Sequence, residues 1–192
     1  MWGWGLWVAA ALLLFWGIGA YNRLVRLRAA VTKAFAALDE QLVRQLVWIQ
    51  GGLPESLRDG PHTTPGELAD DVTAAWARLH AASEQFAVAL AQARAQPLDV
   101  AVMAALVMAH EALRTAWAHV LADAVPADAV PSAERLQARW MRLLHQSLPL
   151  RAAFNDAVQA YNQAIRQFPA SLMARLFGFR PAGTVTRLAE NR

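Results

Sequence analysis

The first 22 residues, MWGWGLWVAAALLLFWGIGAYN, contain no Asp, Glu, Lys, Arg or His. That matches the roughly 20 apolar residues a helix needs to cross the ~30 Å hydrocarbon layer of a bilayer. Trp2, Trp4 and Trp7 stand at one end of the run, with Trp16 and Tyr21 toward the other. Rings with an apolar body and a polar tip settle at the headgroup level, so the pattern reads as a membrane anchor. A cleaved secretory signal is the competing reading, because Gly17 and Gly19 before Ala20 supply small residues of the kind found at cleavage sites. Against it, no Lys or Arg precedes the run, which also exceeds the usual 7–15 residue signal core.

Arg23, Arg26, Arg28 and Lys33 follow at once. Counting basic residues close to the membrane places the C-terminal side of the span, and with it the bulk of the chain, in the cytoplasm.

Beyond the anchor, Leu24, Leu27, Val31, Phe35, Leu38, Leu42, Leu46 and Ile49 recur at three- and four-residue steps and form one apolar stripe. Gly51, Gly52 and the stretch from Pro54 to Pro65 interrupt it. Thr64, Pro65 and Glu67 make a capping box that restarts a helix, with Leu68, Val72, Ala75, Leu79, Ser83, Phe86 and Leu90 as its stripe. After a turn near Pro97, a third stripe runs Met103, Leu106, His110, Leu113, Trp117 and Val120. The fourth begins near Ser132 and carries Leu136, Trp140, Leu143, Ser147, Leu150, Phe154, Val158, Tyr161, Ile165 and Phe168. Pro149 inside it predicts a kink, or a restart capped by Ser147. Helices with one apolar stripe each bury those stripes against one another. The expected fold is therefore all-α, with an N-terminal transmembrane helix followed by a long antiparallel up-down four-helix bundle. Its parts are an anchor at 1–22, the bundle at 23–170, and an amphipathic C-terminal segment and tail at 171–192.

An even number of antiparallel helices returns the chain to its starting end, which brings Phe168 back toward Tyr21. The segment SLMARLFGFRP sets Phe177 and Phe179 beside Arg175 and Arg180. It suits either a lipid interface or a short helix that covers the open end of the bundle. Two Tyr-Asn pairs, Tyr21-Asn22 and Tyr161-Asn162, fall in this membrane-proximal half, and Phe154-Asn155 stands seven residues before the second. An amide beside a buried stripe is costly unless bonded, and only one register satisfies it. The expectation is that Asn22, Asn155 and Asn162, with Phe154 and Tyr161, fix the alignment of the first and fourth helices.

The stretch YNRLVRLRAAVTKAFAALDEQLVR, Tyr21 to Arg44, resembles the start of the LemA family of bacterial membrane-anchored proteins. FNDAVQAYNQAIRQFPASLMARLFGFRP, Phe154 to Pro181, is similar to that family's closing segment. The resemblance implies a single-pass inner-membrane protein with a long helical bundle, no assigned enzyme activity and no established cofactor. It also suggests an envelope partner, with a membrane-bound protease as one candidate. The middle departs from the family: after Asp39, Gln41 and Leu42 the usual Ile-Pro-Asn-Leu-like segment and Gly-Tyr give way to QLVWIQGGLPESLRDGPHTTP.

Other chemistry finds little support. With no cysteine, disulfides, iron–sulfur clusters and thiolate zinc sites are excluded. His80 with Glu84, and His110 with Glu111, do not supply the three or four convergent ligands that zinc needs. His110 falls in a stripe, where a hydrogen-bonded core histidine is expected. Seventeen of the 18 basic residues are arginine, but acidic residues are interspersed and the net charge is only +3, which argues against nucleic acid. The expectation is a non-enzymatic scaffold or adaptor without cofactor or metal, in contact with membrane lipid and another envelope protein. Two alternatives stand beside it: a receptor or enzyme with an interhelical site built from His110, Asn155, Asn162 and Ser83, and a lipid-surface sensor.

Overall fold

The computed structural model describes residues 2–53, 71–123 and 130–185, and every regular element among them is a helix. In chain order these are α1 (Trp2–Gly52), α2 (Asp71–Ala95), α3 (Val100–Asp123), α4 (Val130–Ala164) and α5 (Ala170–Phe177). The capping box at Thr64 to Glu67, Leu68 and the side chains of Trp2 and Ser132 lie outside the described residues.

Helix α1 is continuous through the boundary expected at residue 22, because no proline occurs before Pro54 and strong helix formers fill the stretch. Its first third is exposed: Trp4, Leu6, Trp7, Leu12, Leu13, Leu14, Phe15 and Ile18 all face outward. From Leu24 onward the apolar stripe turns inward, and Leu24, Val31, Leu38 and Leu42 are fully buried. One helix thus changes from an apolar surface all round to a single buried face.

Helices α1 and α4 lie along one another. The Phe35 and Phe154 rings meet edge to face at 5.8 Å, and the Trp48 and Trp140 rings stack at 5.9 Å. As residue numbers rise along α1 they fall along α4. Helices α2 and α3 form the other close pair, joined by a turn in which Asp99 Oδ1 accepts the amides of Ala101 (2.8 Å) and Val102 (3.0 Å). That carboxylate is the N-cap of α3, satisfying amides the helix itself cannot. Helix α2 meets α1 through Arg94, whose Nε donates to both carboxylate oxygens of Asp39 at 2.8 and 3.0 Å. Arg94 is half exposed. The variant Arg94→Ala is accordingly expected to cost less than about 1 kcal/mol in urea melts.

A polar seam crosses the core. Gln45, fully buried, accepts from His110 Nε2 at 3.0 Å and donates its amide to the Leu143 carbonyl at 3.2 Å. Gln41, one turn earlier, donates to that same carbonyl and to Gln146 Oε1, each at 3.2 Å. His110 is the hydrogen-bonded core histidine that its place in the third stripe implies.

Several sequence expectations are corrected. Helix α4 runs through Pro149 without restarting, and Ser147 Oγ bonds back to the Leu144 carbonyl of its own helix at 2.7 Å. Val72, Leu136 and Phe168 are exposed despite their stripe positions. Val72 occupies the first turn of α2. Leu136 lies one turn beyond Trp140, level with the place where α1 ends. Phe168 follows the end of α4, in the turn that contains the cis Phe168-Pro169 peptide.

Candidate membrane interface

Helix α5 is short, but its composition is sharply divided. Ala170 and Ala174 are buried while Leu172, Leu176 and Phe177 are more than half exposed, with Arg175 exposed beside them. It packs against α1 where the apolar run ends. Met173 faces Gly17, Trp16 meets Phe168 at 4.8 Å, and Tyr21 meets Phe177 at 4.8 Å and Phe179 at 6.0 Å. At 1.5 Å of rise per residue, Gly17 to Tyr21 occupies about the last 6 Å of the apolar run that ends near Asn22. Residues 168–179 therefore return to the part of α1 where the apolar run ends, and Phe168 comes back to the neighbourhood of Tyr21.

Gly178 ends α5 in the left-handed region (φ 70°), a conformation glycine adopts without a Cβ penalty. The chain then runs back across α3 and α4 as a strap, residues 179–185. Tyr161 Oη donates to the Arg180 carbonyl at 3.0 Å. Asn162 Nδ2 donates to the Ala182 carbonyl at 2.9 Å, and its Oδ1 accepts the Ala182 amide at 2.8 Å. Asn155 Oδ1 accepts the Val185 amide at 2.9 Å. Within the strap, Ala182 and Val185 are buried.

These bonds correct the reading of the asparagines as a register lock between the first and fourth helices. Asn155 and Asn162 bond the strap, an extended segment whose backbone groups have no helix or sheet to satisfy them. Asn22 is exposed on α1. Phe154 and Tyr161 do fill the core, at 0% and 1% exposure. Spacing alone did not reveal the strap's partner surface, where Gly183 passes so close to α3 that a Cβ would stand 2.9 Å from Val100 Cα and 3.1 Å from Met103 Cβ. The signal was present in the glycine of RPAGTV, two residues after Pro181.

A model of the LemA family matches residues 77–191, more than half of the chain. The chain belongs to the LemA family. No curated protein and no solved structure matches it. The LemA match takes in the aromatic–asparagine pairs at 154–155 and 161–162, α5, the strap and Gly183, while the similar stretch from Tyr21 to Arg44 falls outside it. The matched residues thus include those that bond the strap down.

The other expected interface residues divide by depth along α1. Trp4 and Trp7 are exposed toward its start, and Trp16 is partly covered by Phe168. Tyr21 is held between Phe177 and Phe179, while Arg23, Arg26 and Arg180 are exposed just beyond. The four residues considered for an interhelical ligand site do not meet. Ser83 bonds the His80 carbonyl, His110 bonds Gln45, and the two asparagines hold the strap.

Removing the Asn162 amide tests this anatomy. Asn162→Ala leaves the buried Ala182 amide and carbonyl without their partners, and is expected to cost about 2 kcal/mol. Exchange of the Ala182 and Val185 amides should rise well before the core amides of α3 do, as measured by hydrogen exchange.

Proposed function

We propose that this LemA-family chain is a non-enzymatic scaffold of the bacterial envelope. In this reading residues 1–22 cross the inner membrane once, and an up-down bundle stands in the cytoplasm to engage another envelope protein, a membrane-bound protease being one candidate. The observation that supports it is the continuity of α1. A single helix passes from a largely exposed apolar segment into a stretch whose apolar stripe is buried against the other helices. A helix continuing without a hinge transmits the orientation of the membrane segment to the domain, which suits a part that holds partners at fixed height. Helix α3 is also long and apolar enough to cross a membrane, but its stripe from Met103 to Val120 is buried against its neighbours, as in the core helix of a bundle.

Because the chain has no cysteine, single introduced ones report topology without background. In intact cells, Gly5→Cys should react with an impermeant maleimide and Thr32→Cys should react only after lysis. The reverse pattern would overturn the cytoplasmic placement. Crosslinking in the membrane followed by mass spectrometry should yield a recurring envelope protein, and recovery of lipid alone would turn the reading toward a lipid-surface sensor.

A further inference from the structure

We propose that the groove at the foot of the bundle, between α1, the α2–α3 turn and the strap, is a binding site for the phosphate of an anionic phospholipid headgroup. The proposal rests on the reading of α1 as a membrane anchor. The groove encloses roughly 690 Å³, and Arg28, Gln96, Asp99, Tyr161, Phe179 and Arg180 are among the residues that line it. That volume suits a headgroup, within the range of sites that hold small ligands.

Its charge is directional. Arg28 and Arg180 are exposed, and neither guanidinium has an ion-pair partner among the described residues. The opposing carboxylate, Asp99, is already engaged through Oδ1 by the amides of Ala101 and Val102. Arg180 is fixed in place by its own carbonyl, which accepts the Tyr161 hydroxyl at 3.0 Å. Arg28 of α1 lines the same groove as Tyr161 and Arg180. Two arginines facing one cleft with their donors unspent suit a phosphate, which accepts from planar guanidinium groups in pairs.

Height along α1 selects the lipid as the source. Arg28 follows Tyr21 by seven residues, so its backbone stands about 10 Å beyond the end of the apolar run, at the outer side of the headgroup layer. A long side chain at that level reaches back toward the phosphates. Helix α5 lies alongside Gly17 to Tyr21 and presents Leu172, Leu176 and Phe177 outward, which sets the adjoining strap, and Arg180 with it, at the membrane surface.

The test uses the full chain in a non-ionic detergent, with bound lipid counted by native mass spectrometry. Short-chain phosphatidylglycerol should be retained over phosphatidylcholine. Arg28→Gln and Arg180→Gln should each lower that preference about fivefold, and about twentyfold together, with the thermal melt unchanged because both side chains are exposed. Arg175→Gln, on the outer face of α5, should keep it. Equal retention of the two lipids by the parent chain, or a preference that survives in the double variant, overturns the site. Displacement of phosphatidylglycerol by millimolar inorganic phosphate would likewise overturn the lipid assignment. Flotation with phosphatidylcholine vesicles separates the two readings. A full chain that stays at the bottom removes the anchor, whereas one that floats without headgroup preference removes the groove alone.

Discussion

Lowering the pH from 7 to 4 is expected to strip about 3 kcal/mol from the folded state through one residue, His110. Its imidazole, on α3, is fully buried, with Gln45 of α1 on Nε2 and the Phe86 ring of α2 at 5.4 Å. Burial, reinforced by the positive charges of Arg151 and Arg114, lowers its pKa from 6.5 to about 3. The folded state keeps the neutral ring while the unfolded chain takes up a proton near pH 6.5. The stabilisation is therefore complete above that pH and is lost progressively as pH falls toward 3. Urea melts in detergent at pH 7, 5.5 and 4 measure it. The control is the double variant His110→Leu/Gln45→Leu, which removes both members of the hydrogen bond so that neither is left orphaned. The parent should lose about 3 kcal/mol more than the double variant over this range. Parallel curves would show that the ring is not held neutral by the fold.

Much of this helix had already announced itself in the order of residues. Met103, Leu106, His110, Leu113, Trp117 and Val120 share a helical face, and each is buried. A period of 3.6 is enough to say that a residue points inward. It does not say which element meets it there. That is why the burial of His110 was legible and its partner Gln45, 65 residues away, was not. The same gap explains the asparagines. Their place beside the stripe foretold a bonded amide, but the stripe cannot distinguish a neighbouring helix from an extended strap that passes over it. Strap recognition turns on Gly183, where closeness to Val100 forbids a side chain, and such closeness exists only once both segments are placed.

Boundaries are least legible in a sequence where propensity and composition disagree. The apolar run and the bundle helix have different surroundings, which suggested a division at residue 22, yet nothing in the local sequence breaks a helix there. Pro149 was the opposite case. Its missing amide weakens one turn, but 35 residues of α4, packed along α1, carry the helix through it. Asp39, Gln41 and Leu42 show how a short motif divides its labour. The first pairs with Arg94, the second bonds the Leu143 carbonyl, and the third is fully buried.

Near the end of α1 farthest from the apolar run, Trp140→Ala should be the most damaging single truncation, at about 3–5 kcal/mol. Trp140 is 3% exposed and joins two other indoles, Trp48 of α1 at 5.9 Å and Trp117 of α3 at 6.0 Å, while Trp48 and Trp117 meet at 5.0 Å. The three rings tie three helices. Between α3 and α4 here an open groove runs past Arg114, Ala118, Leu121, Gln137 and Met141, so the backbones are bridged by side chains reaching across. Losing the central ring removes the bridge as well as the buried area. Amides in the last two turns of α3 should then exchange faster than those near Met103, although the substitution is in α4. Met141→Ala, beside it on the exposed groove wall, should cost less than about 1 kcal/mol and leave that exchange unaltered. The Trp48→Ala/Trp140→Ala cycle should return a coupling of about 0.5–1.5 kcal/mol, as expected for rings in contact. Uniform acceleration of exchange across α3 would mean that the helix opens as one unit, and that the indoles fill space without acting as a local tie.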